Sequence, residues 1–141
     1  MAFRFSLASI LRLRRSQQHQ QELALQKINN EVNRLQSHLR DTQAEIARIS
    51  SLPPNGRSAA EIQFDQELLR TCNLRCIEIQ ELLRRALAVR DLAATEFHRA
   101  WQRRETLETL QTQSQAEFKV DESRRVQREL DDWFLQRKRL D

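Results

Sequence analysis

Apolar residues recur along this chain at alternating spacings of three and four, in two long stretches separated by one break. Leu25, Val32, Leu39 and Ile46 fall seven apart, and Ile28, Leu35, Thr42 and Ile49 follow each by three. That is the a/d pattern of a narrow helix–helix seam. Traced backwards it passes through Gln21, Gln18 and Arg14 to Leu11 and Leu7. The break is Leu52-Pro53-Pro54-Asn55-Gly56, whose two prolines and Asn-Gly pair stop a helix. Ser58, with Glu61 three residues on, is a capping box that starts the next one. Beyond it Ile62, Leu69, Cys76 and Leu83 take a, while Cys72, Ile79 and Ala86 take d, with Asp65 as a polar exception. The seam continues through Arg90, Ala93, Phe97 and Ala100. The pattern predicts two helices, roughly 4–51 and 58–138, joined by a loop at 52–57.

An antiparallel pair sets a of one helix opposite d of the other. Ile49 with Ile62, Leu39 with Cys72, Leu35 with Cys76, Val32 with Ile79, Ile28 with Leu83 and Leu25 with Ala86 all have residue numbers summing to 111. The fold-back point then lies between Asn55 and Gly56, inside the break. The expected fold is all-α: two long helices in a single antiparallel coiled-coil hairpin, the second overhanging the first. The layers Gln21/Arg90, Gln18/Ala93 and Arg14/Phe97 are polar or mismatched, so the open end is expected to be the weaker one. On this register Leu7 reaches only to about Arg104, which leaves residues 105–141 without an intramolecular partner over ~55 Å. Their stripe of Leu107, Leu110, Phe118, Val126, Leu130, Trp133 and Phe134 points to another chain or to self-association, because a lone helix is marginal in water.

Composition narrows the function classes. One glycine in 141 residues cannot supply the turns of a multi-stranded sheet or a glycine-rich phosphate cradle. Apolar residues are 39% of the chain, enough for a seam and too few for a thick core. The net charge is +4, and Arg4, Arg12, Arg14 and Arg15 all precede the first acid, Glu22. The body is therefore balanced and the N-terminus is a basic end. No stretch approaches the ~20 apolar residues of a membrane span. The opening residues imitate an acid-free presequence, but the helical pattern runs on past them. Two cysteines with no export signal suggest reduced thiols in a cytoplasmic protein.

Candidate chemistry is sparse. Cys72 and Cys76 share a helical face, yet a structural zinc site needs two further ligands and only His38 comes near, so both read as small seam residues. His19, His38 and His98 have no nucleophile beside them, and Asp131-Asp132 sits on a charged face. No catalytic set and no cofactor site emerges, which points away from an enzyme. His98, Arg99, Arg103 and Arg104 with Trp101 form the best basic patch, but it reads as a solvated flank and predicts no specific nucleic-acid partner. The N-terminal segment reads equally as first turns of the coil or as a face of Phe3, Leu7, Ile10 and Leu11 for anionic lipid. Trp133 and Phe134 are the sharpest interface anchors, for a dedicated partner or for burial in a dimer.

Three stretches carry a family resemblance. Met1-Ala2-Phe3-Arg4-Phe5-Ser6-Leu7-Ala8-Ser9-Ile10-Leu11-Arg12-Leu13-Arg14 resembles the start of many FliJ proteins, the small coiled-coil component of the bacterial flagellar type III export apparatus. Ala100 to Leu110 resembles that family's Trp-x-x-(basic)-x-x-Leu-x-x-Leu stretch, and Glu129 to Arg137 is similar to its acidic-aromatic closing segment. The resemblance implies a stalk that enters the hexameric flagellar export ATPase and promotes its assembly and activity. It further implies contact with the cytoplasmic domain of the export gate protein, escort of flagellar export chaperones, and peripheral placement at the cytoplasmic face of the inner membrane. On the same ground the ATPase-binding residues would be Arg4, Arg12, Arg14, Arg15, Trp133, Phe134 and Arg137. The export-gate surface would be Leu39, Thr42, Ile46, Cys72, Cys76 and Ile79, which the heptad turns inward. A stalk of a virulence-type secretion injectisome and a basic coiled coil for nucleic-acid or membrane surfaces are the alternatives.

Overall fold

Helix formation stops where the prolines stand. In the computed structural model, which describes residues 2–141, α1 runs Ala8–Ser50 and α2 runs Ala59–Leu140. The chain is an all-α antiparallel helical hairpin in which the 82-residue α2 overhangs the 43-residue α1. Gly56, at φ +79°, supplies the one left-handed turn residue between them. Ser58 caps α2 as its spacing requires, its Oγ accepting the Glu61 amide at 3.2 Å. The polar exception Asp65 is half-buried, and the guanidinium of Arg57 meets its enclosed Oδ2.

The chain divides into two compact units, Gln20–Phe97 and Met1–His19 with His98–Asp141. In the first, burial follows the heptad. Val32, Leu35, Thr42 and Ile49 of α1 and Cys72, Cys76 and Ile79 of α2 are buried, while Leu25, Ile28, Leu39, Ile46, Ile62, Leu69, Leu83 and Ala86 are half-buried. Thr42 keeps its hydroxyl satisfied inside the seam by donating to the His38 carbonyl at 2.9 Å. Ile28 and Ala86 line one groove, within a helical turn of the expected pairing.

The second unit departs from expectation. Helix α1 begins at Ala8, not near residue 4, and residues 2–5 have no regular secondary structure. The first turn holds no acid to complement the helix dipole. Non-helical chain rises about twice as far per residue as helix, and Phe3 accordingly reaches Phe118, with ring centroids 5.6 Å apart. Arg15 binds Glu108 at 3.1 Å, and Arg104 donates to Gln18. A register of 111 would set Gln18 opposite Ala93, about 16 Å from Arg104 along α2 and beyond the combined reach of the two side chains. Polar layers supply no apolar knobs to hold that register, so the ion pairs at this end govern instead. Residues 105–118 are therefore partnered within the chain, and the unpaired end of α2 is residues 123–141, every one of them exposed.

Candidate partner-binding site

The free end of α2 is a single helix with large apolar side chains in solvent. Trp133 and Phe134, 51% and 59% exposed, meet edge-on with ring centroids 5.2 Å apart and planes at 73°. The Arg137 guanidinium lies 5.2 Å from the Trp133 ring centroid, a cation–π contact that orients the indole. Upstream, Arg125 takes Glu122 at 2.7 Å and Glu129 at 3.7 Å, and Gln127 donates to Asp131 at 3.0 Å. The three residues expected here from the resemblance thus form one cluster.

The four N-terminal arginines do not join that cluster. Arg4 and Arg12 are exposed, Arg14 is half-buried and donates to Gln17 at 3.1 Å, and Arg15 is engaged with Glu108. Phe3 sits beside Phe118, and Trp133 lies fifteen residues further along α2, about 22 Å. The node behind Arg15 was not expected. Glu108 accepts from both Arg15 and Arg104, and Arg104 also donates to Gln18. Burial pushes the Glu108 carboxyl up, but hydrogen bonds from Arg104 and Arg15 outweigh it and hold the group below its ordinary value. Its signal in the sequence is that Arg104 continues the three-four spacing after Ala100, with an acid one turn beyond.

The residues matched to an export-gate surface form internal packing. Thr42, Cys72, Cys76 and Ile79 are buried, and Leu39 and Ile46 are half-buried. A partner could reach the four buried ones only by separating the helices, whereas Leu39 and Ile46 keep part of their surface in solvent. Outer apolar residues of the same stretch include Leu52, Phe64, Leu74 and Ile77.

With the hairpin and its free aromatic-cationic end in view, the comparison with known families is informative. Residues 3–139 match the family described as the flagellar FliJ protein. The chain belongs to that family. No curated protein and no solved structure matches it. The family places the chain in the flagellar export apparatus as a non-catalytic component. No helix among the described residues is long and apolar enough to cross a membrane.

Two further sequence candidates have defined surroundings in this FliJ-family chain. Trp101 stacks with His98, planes 9° apart and centroids 5.9 Å, and Arg104 turns inward to Gln18 and Glu108, so the basic patch loses one of its cations. Cys72 and Cys76 are free thiols inside the seam, and no group of three metal-ligating side chains occurs among the described residues.

Proposed function

We propose that this chain is the stalk of the flagellar export apparatus, binding the hexameric export ATPase, promoting its assembly and hydrolysis, and coupling it to the export gate. The observation that carries this reading is the free end of α2, where Trp133, Phe134 and Arg137 cluster on a helix that no other described part of the chain covers. Exposed aromatics beside an arginine are what an interface anchor requires. Arg4 and Arg12 add exposed charge in the same unit, with Arg14 and Arg15 behind them. Contact with the cytoplasmic domain of the gate protein falls in this reading to residues 20–97. There Leu39, Thr42, Ile46, Cys72, Cys76 and Ile79 hold the helix pair together, and Phe64, Leu74 and Ile77 face outward. Escort of export chaperones and peripheral placement at the cytoplasmic face of the inner membrane complete the proposal, by analogy with the family.

The test is titration of the purified protein into the flagellar export ATPase of the same organism, with ATP hydrolysis and ring formation recorded. Stimulation is expected, weakened by Trp133→Ala and by combined Arg4→Ala and Arg12→Ala. No binding and no effect on hydrolysis would remove the ATPase from the reading. Stimulation undiminished by either variant would move the contact elsewhere on the chain.

A further inference from the structure

Of the five asparagines in the chain, only Asn55 stands outside the helices. Asn29, Asn30 and Asn33 lie in α1 and Asn73 lies in α2. Asn55 and Gly56 are both exposed, between the last bond of α1, from the Leu52 amide to the Ile49 carbonyl at 3.2 Å, and the Ser58 cap of α2. Among the described residues, no main-chain carbonyl takes the Gly56 amide and no partner holds the Asn55 carboxamide. Gly56 sits at φ +79°, and the position that a Cβ would take there opens on empty space.

This arrangement favours one intramolecular reaction. The side-chain carbonyl carbon of an asparagine and the main-chain nitrogen of the next residue are the two ends of a five-membered ring. Closing the ring needs that nitrogen deprotonated, uncommitted to a hydrogen bond and able to swing toward the side chain. A following glycine has no Cβ in the way and the widest choice of φ. Inside a helix the same nitrogen donates to the carbonyl four residues back, and its dihedrals are fixed. Asn29, Asn30, Asn33 and Asn73 are held in that way, and the residues that follow them are Asn30, Glu31, Arg34 and Leu74. Pro53 and Pro54 keep Asn55 from the same protection, because they end the helix before it.

We infer that Asn55-Gly56 is a self-modification site, where the carboxamide deamidates through a cyclic imide with water as the only co-reactant. Hydroxide takes the Gly56 amide proton, and the nitrogen bonds to Cγ of Asn55. The Cγ–Nδ2 bond breaks, and the nitrogen leaves as ammonia after taking up a proton from water. A water molecule then opens the ring. Addition at Cγ restores the ordinary main chain and leaves aspartate. Addition at the main-chain carbonyl carbon leaves iso-aspartate, with one extra methylene in the backbone of the turn. Either product ionises, so the net charge falls from +4 by one, to +3. Arg57, the one cation of the loop, already meets Asp65 and lies 3.9 Å from Glu61, so the new carboxylate has no spare cation beside it. The site lies outside the surfaces of the proposed function, which stands or falls without it.

The test incubates the purified full chain in mildly acidic and in mildly alkaline buffer, then digests it and weighs the peptides. An iso-aspartyl methyltransferase with a labelled methyl donor reports the iso-aspartate product. In alkaline buffer the peptide holding Asn55 should gain about 1 Da and accept label, and isoelectric focusing should show the lost positive charge. In acid buffer the gain should be much slower, because the amide proton stays on. The four helical asparagines should keep their mass over the same period. Gly56→Ala should slow the gain severalfold. Asn55→Gln, an exposed substitution whose ring would need six members, should abolish it, with circular dichroism confirming helix in both variants. An unchanged loop peptide in alkaline buffer, an equal gain at any helical asparagine, or a gain that survives Asn55→Gln would each overturn the inference.

Discussion

Replacing Glu108 with alanine removes the acid on which Arg15 and Arg104 converge. The two contacts differ in environment. The Arg15 side chain is 52% exposed and Glu108 30%, so water screens this pair and it contributes about 0.5 kcal/mol. Arg104 is only 18% exposed. A charge-assisted hydrogen bond there falls toward the lower end of about 1.5–3 kcal/mol, since Glu105 remains as a substitute acid 3.4 Å away. Glu108→Ala should therefore cost about 1.5–2 kcal/mol. Urea unfolding followed by circular dichroism, run as two double-mutant cycles, would separate the contributions. The Arg104–Glu108 coupling should be about three times the Arg15–Glu108 coupling. The carboxyl is held below its ordinary value of 4.5, so the node stabilises the fold above that pH and loses its effect as pH falls through the depressed value. The gap between wild type and Glu108→Gln should accordingly close under acid conditions. Equal couplings, or a cost near zero, would refute the assignment of the energy to the enclosed arginine.

Leu11, 2% exposed, is the most enclosed side chain near the N-terminus, and Leu11→Ala should destabilise by about 2–5 kcal/mol, with hydrogen exchange accelerated in residues 8–19 and 98–118 before 20–97. Ser58→Ala removes the cap of α2 and should cost about 1 kcal/mol in the same unfolding assay. Cys72 and Cys76 should react with a thiol reagent only at the rate of helix opening, and acceleration on adding the gate domain would support direct contact with the seam.

The seam around the loop was legible because its signals agree. Heptad phase, the Pro53-Pro54 break and the Ser58 cap each call for the same hairpin, and apolar knobs at Val32, Leu35, Ile49 and Ile79 leave little freedom in how the helices meet. The open end was not legible for the converse reason. Arg14, Gln18 and Gln21 occupy seam positions without apolar side chains, and their partners depend on how far long polar groups reach in space. The sequence groups Phe3 with Leu7, Ile10 and Leu11 on one apolar face, whereas its contact with Phe118 needs non-helical chain. Trp133 and Phe134 could be found from the sequence because the antiparallel register sets no apolar residue of the first helix opposite them. Their alignment with Arg137 follows from helical spacing alone.

Charge pairing separates what the exposed acid–arginine contacts do for stability from what they do for recognition. In residues 20–97, Glu31, Glu45 and Glu81 each hold an arginine three residues on at 2.6–2.7 Å, and hydrogen bonds from Arg84 and Arg85 bring the Glu81 carboxyl down to about 2. Such exposed pairs are screened by water and add little to folding. Their larger effect is to cancel the field of that unit and leave it near neutral, while the other, with 14 basic and 9 acidic side chains, keeps a surplus of +5. Long-range attraction to an anionic partner should therefore come from Arg4, Arg12, Arg137, Lys138 and Arg139. Arg84→Gln with Arg85→Gln removes two charges, as does Arg137→Gln with Lys138→Gln, so net charge alone predicts equal effects. Local surplus predicts that only the second pair flattens the salt dependence of association, measured as rate against ionic strength with the ATPase. Equal flattening by both pairs would show that the partner senses total charge, and the division into a neutral and a basic unit would then carry no function.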